Sequence, residues 1–259
     1  MEVTDKRQFL NTHINSLDSQ ELLDELDRRL ERRIKTSLCF LNVDVVIKIE
    51  KDPALKQAVE NADFVLLDGM PLVWISKLYR QEVKEKISGS DFVPKLLEMA
   101  ARKGRTVFLA GGKEGVAARA AENMRAKIPG LRFAGISSPP FGFEKREEEI
   151  RRLNDNITKS GSDILVICLG CPKQEIYMEE NRDKYQAWLS VCAGATVDFL
   201  AGHVKRCPPW MSRHGLEWFY RFLQEPRRLF KRYFIDDMKI IILAWKYRPG
   251  KRGRGKYGH

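Results

Sequence analysis

The chain has 259 residues, 43% hydrophobic and 31% charged, with 46 Lys and Arg against 35 Asp and Glu. That length and balance suit a globular protein with a full core and exclude a disordered chain. The entire basic excess of 11 lies in residues 205–259, where 15 Lys or Arg face 4 Asp or Glu, so residues 1–204 carry no net charge.

Residues 1–35 contain no apolar run of the kind that opens a secretory leader. The longest late apolar run, Ile240–Trp245, is far short of the roughly 20 residues of a spanning helix. We therefore expect a cytoplasmic protein whose membrane contact, where it exists, is peripheral. Five cysteines, an odd number, are expected to be reduced thiols. Cys168 and Cys171 have CxxC spacing, but no second such pair completes a metal site.

Residues 18–34 place Leu22, Leu23, Leu26, Leu30 and Ile34 at helical spacing, with Asp18 or Ser19 as cap. Strands are then expected at 37–43, 63–67, 106–110, 131–136, 163–169 and 188–193. Helices are expected at 53–61, 72–79, 91–103, 114–127, 144–159 and 173–185. This alternation predicts an α/β fold, a doubly wound Rossmann-like parallel sheet. After Gly202 the pattern changes. Met211–Gln224 reads as a helix, and Pro226 is suited to open the next, towards Trp245. Residues 247–259, rich in Gly and basic residues, are expected to be disordered. The division is thus a core over 1–204, a basic aromatic helical appendage over 205–246 and a tail over 247–259.

In such sheets ligands bind at the carboxyl ends of the strands. Four turns fall there: Asp68-Gly69; Gly111-Gly112; Gly170 through Lys173, Gln174 and Glu175; and Gly194 through Asp198. Asp68 ends an apolar strand beside a glycine, so it could serve as a general base on a hydroxyl, or only stabilise its turn. The glycine turn could face phosphate or serve packing alone. No acid closes the strand after it, as a dinucleotide dehydrogenase would want, and no Walker A motif is present. No Asp-x-Asp triplet occurs either. Leaving-group charge would then fall to backbone N–H groups and to Arg or Lys. A helix across that region would align Arg221, Arg228 and Arg232 on one side, provided Pro226 does not bend it too far; the alternative is a solvated basic face. Between Lys205 and Phe234, aromatics including Trp210, Trp218, Phe222 and Tyr233 interleave with eight basic residues. That mixture suits an anionic, partly apolar surface such as a membrane or a lipid diphosphate.

Taken in order, several blocks resemble the WecG/TagA/CpsF family of bacterial glycosyltransferases. They are Asn42; Ala62-Asp63 through Asp68-Gly69; Ser88-Gly89-Ser90-Asp91; Ala110-Gly111-Gly112; Leu169 through Glu175; Asp198 through Gly202; Pro208 through Met211; and Leu216 through Arg228. The resemblance implies an inverting transferase that needs no metal ion or other cofactor. It would move N-acetylmannosamine, or its uronic acid, from a UDP-sugar to a sugar on a polyprenyl-diphosphate carrier. It implies Asp68 as general base and Gln174 in the nucleotide-sugar site, with Asn42, Gly69, Asp91, Gly111, Gly112, Gly170, Lys173, Glu175, Gly194 and Asp198 on substrate. It implies Arg221, Arg228 and Arg232 on diphosphate, and an appendage that completes the site at the inner face of the membrane. Two positions depart from the family's frequent pattern. Phe40 stands where Thr is common, and Lys86 where Arg is common, a point charge in place of a bidentate fork. A homo-oligomer is compatible with this reading, and no nucleic-acid partner is expected. The other classes weighed were a nucleic-acid-binding protein using the basic end and a nicotinamide-dependent oxidoreductase.

Overall fold

A computed structural model describes residues 6–204, 207–208, 211 and 217–249, apart from the side chains of Glu217, Arg221, Arg228 and Arg232. Strands β1 (Lys6–Phe9) and β2 (Thr12–Asn15) form an antiparallel hairpin. Six further strands make one sheet: β3 (Thr36–Leu41), β4 (Phe64–Leu67), β5 (Thr106–Gly111), β6 (Arg132–Ser137), β7 (Ile164–Cys168) and β8 (Leu189–Cys192). Their order is β4-β3-β8-β7-β5-β6, and every pairing is parallel.

Alternate strand residues face opposite layers, and both layers are dry. On one side Leu38, Phe64, Leu109, Val166 and Val191 meet α1 (Ser19–Glu31), α5 (Gly89–Arg102), α6 (Val116–Lys127) and α9 (Thr196–Leu200). On the other Leu41, Val65, Phe108, Ile167 and Cys192 meet α2 (Val43–Ile49), α3 (Pro53–Asn61), α4 (Met70–Leu78), α7 (Glu147–Ser160) and α8 (Lys173–Asn181). The doubly wound expectation therefore holds. The chain leaves β3 and β7 towards one layer and β5 and β8 towards the other. That divergence opens a crevice over the central strand ends.

Three elements went unpredicted. The hairpin has no turn glycine; Leu10 takes the left-handed conformation instead, with φ 49°. It is fixed to the sheet by the Val65 N–H, which donates to Asn15 Oδ1 at 2.8 Å. Helix α2 (VDVVIKI) is rich in β-branched residues, whose local preference is extended. Its start depends on Asn42, whose Oδ1 accepts from the Val45 N–H at 3.1 Å. Helix α9 is a single short turn beyond Gly194.

The appendage bears out the break at Pro226 and corrects two other expectations, the single-sided arginine row and the extent of the tail. Helix α10 (Glu217–Gln224) ends before Pro226, and α11 (Pro226–Lys231) is followed by a π-helical turn, Arg232–Asp236. In one continuous helix Trp218 and Phe234 would lie about 24 Å apart along the axis. Their rings are 6.5 Å apart, so the chain doubles back. Proline restricts the residue before it and gives no N–H to the preceding turn. The arginine row therefore does not lie along one straight helix.

The second correction concerns the tail. Helix α12 (Lys239–Lys246) packs on α2 and inserts Ile240 and Leu243 into the layer that holds Val46, Ile49 and Tyr79. Tyr247, expected in the disordered tail, donates its hydroxyl to Glu50 at 2.7 Å. Lys246 Nζ reaches the same carboxylate at 2.8 Å, and Asn11 Nδ2 reaches it at 2.8 Å. The Tyr79 hydroxyl donates to the Ala244 carbonyl. Residues 250–259 of the expected tail lie outside the described residues. Among the described residues no helix is long and apolar enough to cross a membrane.

Candidate active site

Asp68 closes β4, and its N–H donates to the Leu41 carbonyl at 2.8 Å, which registers it against the end of β3. Gly69 follows at φ 123°, a conformation that side chains rarely adopt, and lets α4 start at once. Next to it the Ile87 N–H bonds the Leu67 carbonyl at 3.1 Å, which brings Lys86 beside Asp68. Ser88 caps α5 and donates to Asp91 Oδ2 at 2.7 Å. Asp91 in turn stands 3.6 Å from Lys86 Nζ. Asp91 thus holds the lysine and its own helix cap.

Asn42, Asp68, Gly69 and Lys86 line one cavity of about 690 Å³. Its remaining walls are mainly apolar: Trp74, Ile75 and Leu78 from α4, and Trp218, Tyr233, Phe234, Met238 and Ile241 from the appendage, which also contributes the carboxylate of Asp237. A carboxylate and an ammonium at one end of an aromatic and aliphatic chamber form an amphipathic site. Leu78, at 75% exposed, and Trp74, at 55%, continue that apolar wall to the surface, and exposed Ile241 of α12 lines the same cavity. The sequence reading missed Trp74 and Leu78. Their only signal was the i, i+4 spacing on a helix whose inner face was already supplied by Leu72 and Val73.

The other expected residues gather further along the sheet edge. Gly111 and Gly112 have packing reasons to be glycine. A Cβ at Gly111 would fall 2.2 Å from the Cys168 carbonyl oxygen, and one at Gly112 would stand 3.2 Å from Val116 and Val197 side chains. Gly170, with φ 78°, opens the turn before α8, where Lys173 pairs with Glu144 at 2.9 Å and lies 4.5 Å from the centre of the exposed Phe141 ring. Gln174 is buried. Its Oε1 accepts from the Gly194 N–H at 2.9 Å, and its Nε2 donates to Glu175 Oε1 at 2.7 Å. Burial pushes the Glu175 carboxyl above its ordinary value. Asp198 lies half-buried on α9, four residues beyond Gly194.

The expected residues therefore fall into two groups: Asn42, Asp68 and Gly69, with Asp91 acting through Lys86, around the cavity; and the β5, β7 and β8 turns beside it. With neighbouring strands about 4.8 Å apart, the ends of β4 and β5 are separated by about 19 Å. The groups adjoin where β3 and β8 pair, and a ligand reaching from the β4 end to the β5 end must be extended. The side chains of Arg221, Arg228 and Arg232 lie outside the described residues, so their reach to either group is an expectation only.

Phe40, the departure noted on β3, is buried against Phe92, with ring centres 6.1 Å apart, and a Cβ at Gly89 would come 3.1 Å from it. The side chain fills the core and does not face the crevice. The CxxC pair is unsuited to thiolate chemistry, because burial raises both thiols, Cys168 to about 12. Among the described residues no group of three or more His, Cys, Asp or Glu side chains could hold a metal ion.

The family model of the glycosyl transferase WecG/TagA/CpsF family matches residues 7–254, nearly the whole chain. The chain belongs to that family and is a glycosyltransferase of cell-surface polysaccharide synthesis.

Proposed function

We propose that this glycosyltransferase moves N-acetylmannosamine, or a closely related sugar, from its UDP carrier to N-acetylglucosaminyl-diphospho-polyprenol, with inversion at the anomeric carbon. Teichoic acid linkage units and other surface polysaccharides are the products this reaction would serve. The observation that carries the reading is the cavity: Asp68, Asn42 and Lys86 line a chamber whose other walls are mainly apolar, apart from Asp237, and include exposed Trp74, Leu78 and Ile241. A sugar diphosphate on an isoprenoid chain has the same division into polar head and apolar stem.

In the proposed step the acceptor hydroxyl oxygen attacks the anomeric carbon from the face opposite UDP. The bond from that carbon to the β-phosphate oxygen breaks, and UDP leaves with its electrons. Asp68 accepts the hydroxyl proton, which raises the nucleophilicity of the oxygen as the bond forms. Asn42 holds the sugar near Asp68. The turns carrying Gly111, Gly170, Lys173, Gly194 and Asp198 hold the nucleotide. No metal or cofactor is assigned; Lys86 with Arg221, Arg228 and Arg232 supplies the positive charge for the diphosphates.

An anionic membrane surface is the proposed platform, at the cytoplasmic face. The outward apolar side chains of α12 are flanked by Lys239, Lys246 and Arg248. The aromatic rings of the appendage pack on one another, with Phe222 and Phe234 at 5.5 Å and Trp218 and Tyr233 at 5.9 Å. Mutual packing favours a lipid-facing cluster over a stacking platform for nucleic-acid bases.

A panel of UDP-sugars tested against a synthetic lipid-diphosphate N-acetylglucosamine, with release of UDP as the readout, tests the proposal. UDP-N-acetylmannosamine is expected to give the highest turnover, with inversion at the new linkage. Turnover with no UDP-sugar in the panel, or a retained anomeric configuration, would overturn it.

A further inference from the structure

Glu175 is 1% exposed, yet it sits one residue from Gln174 at the carboxyl edge of the central strands. A buried carboxyl is costly unless something uses it, and a methionine would fill the same space without that cost. What uses it here is the Gln174 amide. A glutamine side chain can present its oxygen and nitrogen in either of two orientations. In the observed one, Oε1 takes the Gly194 N–H at 2.9 Å and Nε2 donates to Glu175 Oε1 at 2.7 Å. The reversed orientation would set an NH2 group against the Gly194 N–H, donor to donor. Gly194 has a left-handed φ of 56° and begins the turn into α9, which carries Asp198. The Gln174 N–H also bonds the Gly170 carbonyl at 3.1 Å. One side chain thus ties the turn after β7 to the turn after β8, and its orientation is selected from below.

We propose that Glu175 is a positioning residue: by accepting from Gln174 Nε2 it fixes the amide that holds the Gly194 turn, and so sets the donor-nucleotide side of the site. This rests on the reading of that crevice as the UDP-sugar site. Glu175 itself touches no substrate. Its role is to keep Gln174 from turning over, and through it to hold two strand-end turns in register.

The test uses the full chain and three substitutions, Glu175→Gln, Glu175→Met and Gln174→Ala, with the Glu175→Met/Gln174→Ala double variant. Gln at 175 can still accept from Gln174 Nε2, so kcat/KM for the UDP-sugar is expected to stay within about threefold of the unmodified protein. Glu175→Met removes the acceptor and is expected to lower kcat/KM by about tenfold or more, chiefly through KM, with faster hydrogen exchange at the Gly194 amide. In the Gln174→Ala background the same change is expected to add nothing, because the intermediary is gone. Full additivity in the double variant, or a Glu175→Gln variant as impaired as Glu175→Met, would overturn the proposal. If Glu175→Met does not fold, Glu175→Ala, which leaves space and forces nothing in, carries the same comparison. UDP binding to the unmodified protein is measured first by calorimetry. Its absence would sink the reading of the crevice, while Gly194 exchange still reports on the brace.

Discussion

Helices α1 and α12 are both amphipathic, but they place their apolar residues differently. In α1, Leu22, Leu23, Leu26 and Leu30 are all buried under the sheet. In α12 only Ile240 and Leu243 are buried, while Ile241, Ile242 and Trp245 face outward. Helix α4 repeats the second pattern, with Leu72 and Val73 inside and Trp74 and Leu78 outside. The two-sided helices meet at the mouth of the cavity that contains Asp68, and the one-sided helix lies elsewhere. Apolar surface left in water at the mouth of a polar site marks where a lipid-bearing partner fits. Helix α12 has two roles: one face completes the layer over α2, and the other presents the exposed apolar rim.

Removing residues 205–259 breaks the comparison most severely. It takes Tyr233, Phe234, Met238 and Ile241 from the cavity wall and uncovers α2. Transfer to a lipid-linked acceptor is expected to fall by at least about tenfold, while UDP binding at the β5, β7 and β8 turns survives; radiolabelled transfer and calorimetry read the two separately.

The double substitution Leu78→Lys and Ile241→Lys acts on the rim alone. Each loses an apolar contact that, at about 1.5–3 kcal/mol for full burial, dominates insertion into an interface. Sedimentation with anionic vesicles should show much weaker binding, and the remainder should vanish with added salt. Unchanged vesicle binding would mean that the rim is not the membrane-facing surface.

Glu50→Ala acts on the other face of α12. Lys246, Tyr247 and Asn11 lose their shared acceptor, in bonds of about 1.5–3 kcal/mol each because the acceptor is charged. Hydrogen exchange over 239–247 should quicken, with residues 19–31 unaffected. Burial alone would raise the Glu50 carboxyl, but the bonds from Lys246, Tyr247 and Asn11 outweigh it and hold the value below the ordinary one. The contribution is therefore present above the ordinary carboxylate range and is lost as pH falls through the lowered folded value. Acid should loosen α12 in the unmodified protein and have little further effect there in Glu50→Ala.

The smallest effect is expected at His13, in strand β2 of the hairpin and outside the cavity lining. Burial first, and the Lys6 charge second, lower its imidazole from 6.5 to about 4. Its contribution is complete above pH 6.5 and is lost as pH falls through about 4. His13→Gln should flatten that part of the stability curve in chemical denaturation, with activity at neutral pH unchanged.

The sheet was legible because most of its strands are short apolar runs closed by Gly or Asp turns; 163–169 reads as a strand buried on both faces and is central, whereas the equally apolar 63–67 lies at the sheet edge, covered by helices and the hairpin. Helix α2 was not, because Val43, Val45, Val46 and Ile47 favour strands locally and only the layer above the sheet makes them helical. Asp68 and the Gly turns could be located from strand ends alone. The cavity could not, since it needs α4 and the appendage to meet, and Trp74 looks in sequence like any core residue. Glu50 gave no signal either; it is one of two acids in the charged stretch Lys48 to Asp52, and its three donors come from positions 11, 246 and 247. Nor does the motif around Gln174 tell a residue on the substrate from one beneath it. Only burial separates Glu175 from a residue on the surface of the crevice.

The central claim is that Asp68 accepts the acceptor's proton in this cavity. The most direct test compares Asp68→Asn with the unmodified protein, by single-turnover transfer to the lipid-diphosphate acceptor and by calorimetry with UDP-N-acetylmannosamine. The account predicts transfer reduced by about 10²–10⁴-fold, with donor affinity unchanged. Near-normal turnover in Asp68→Asn would contradict it.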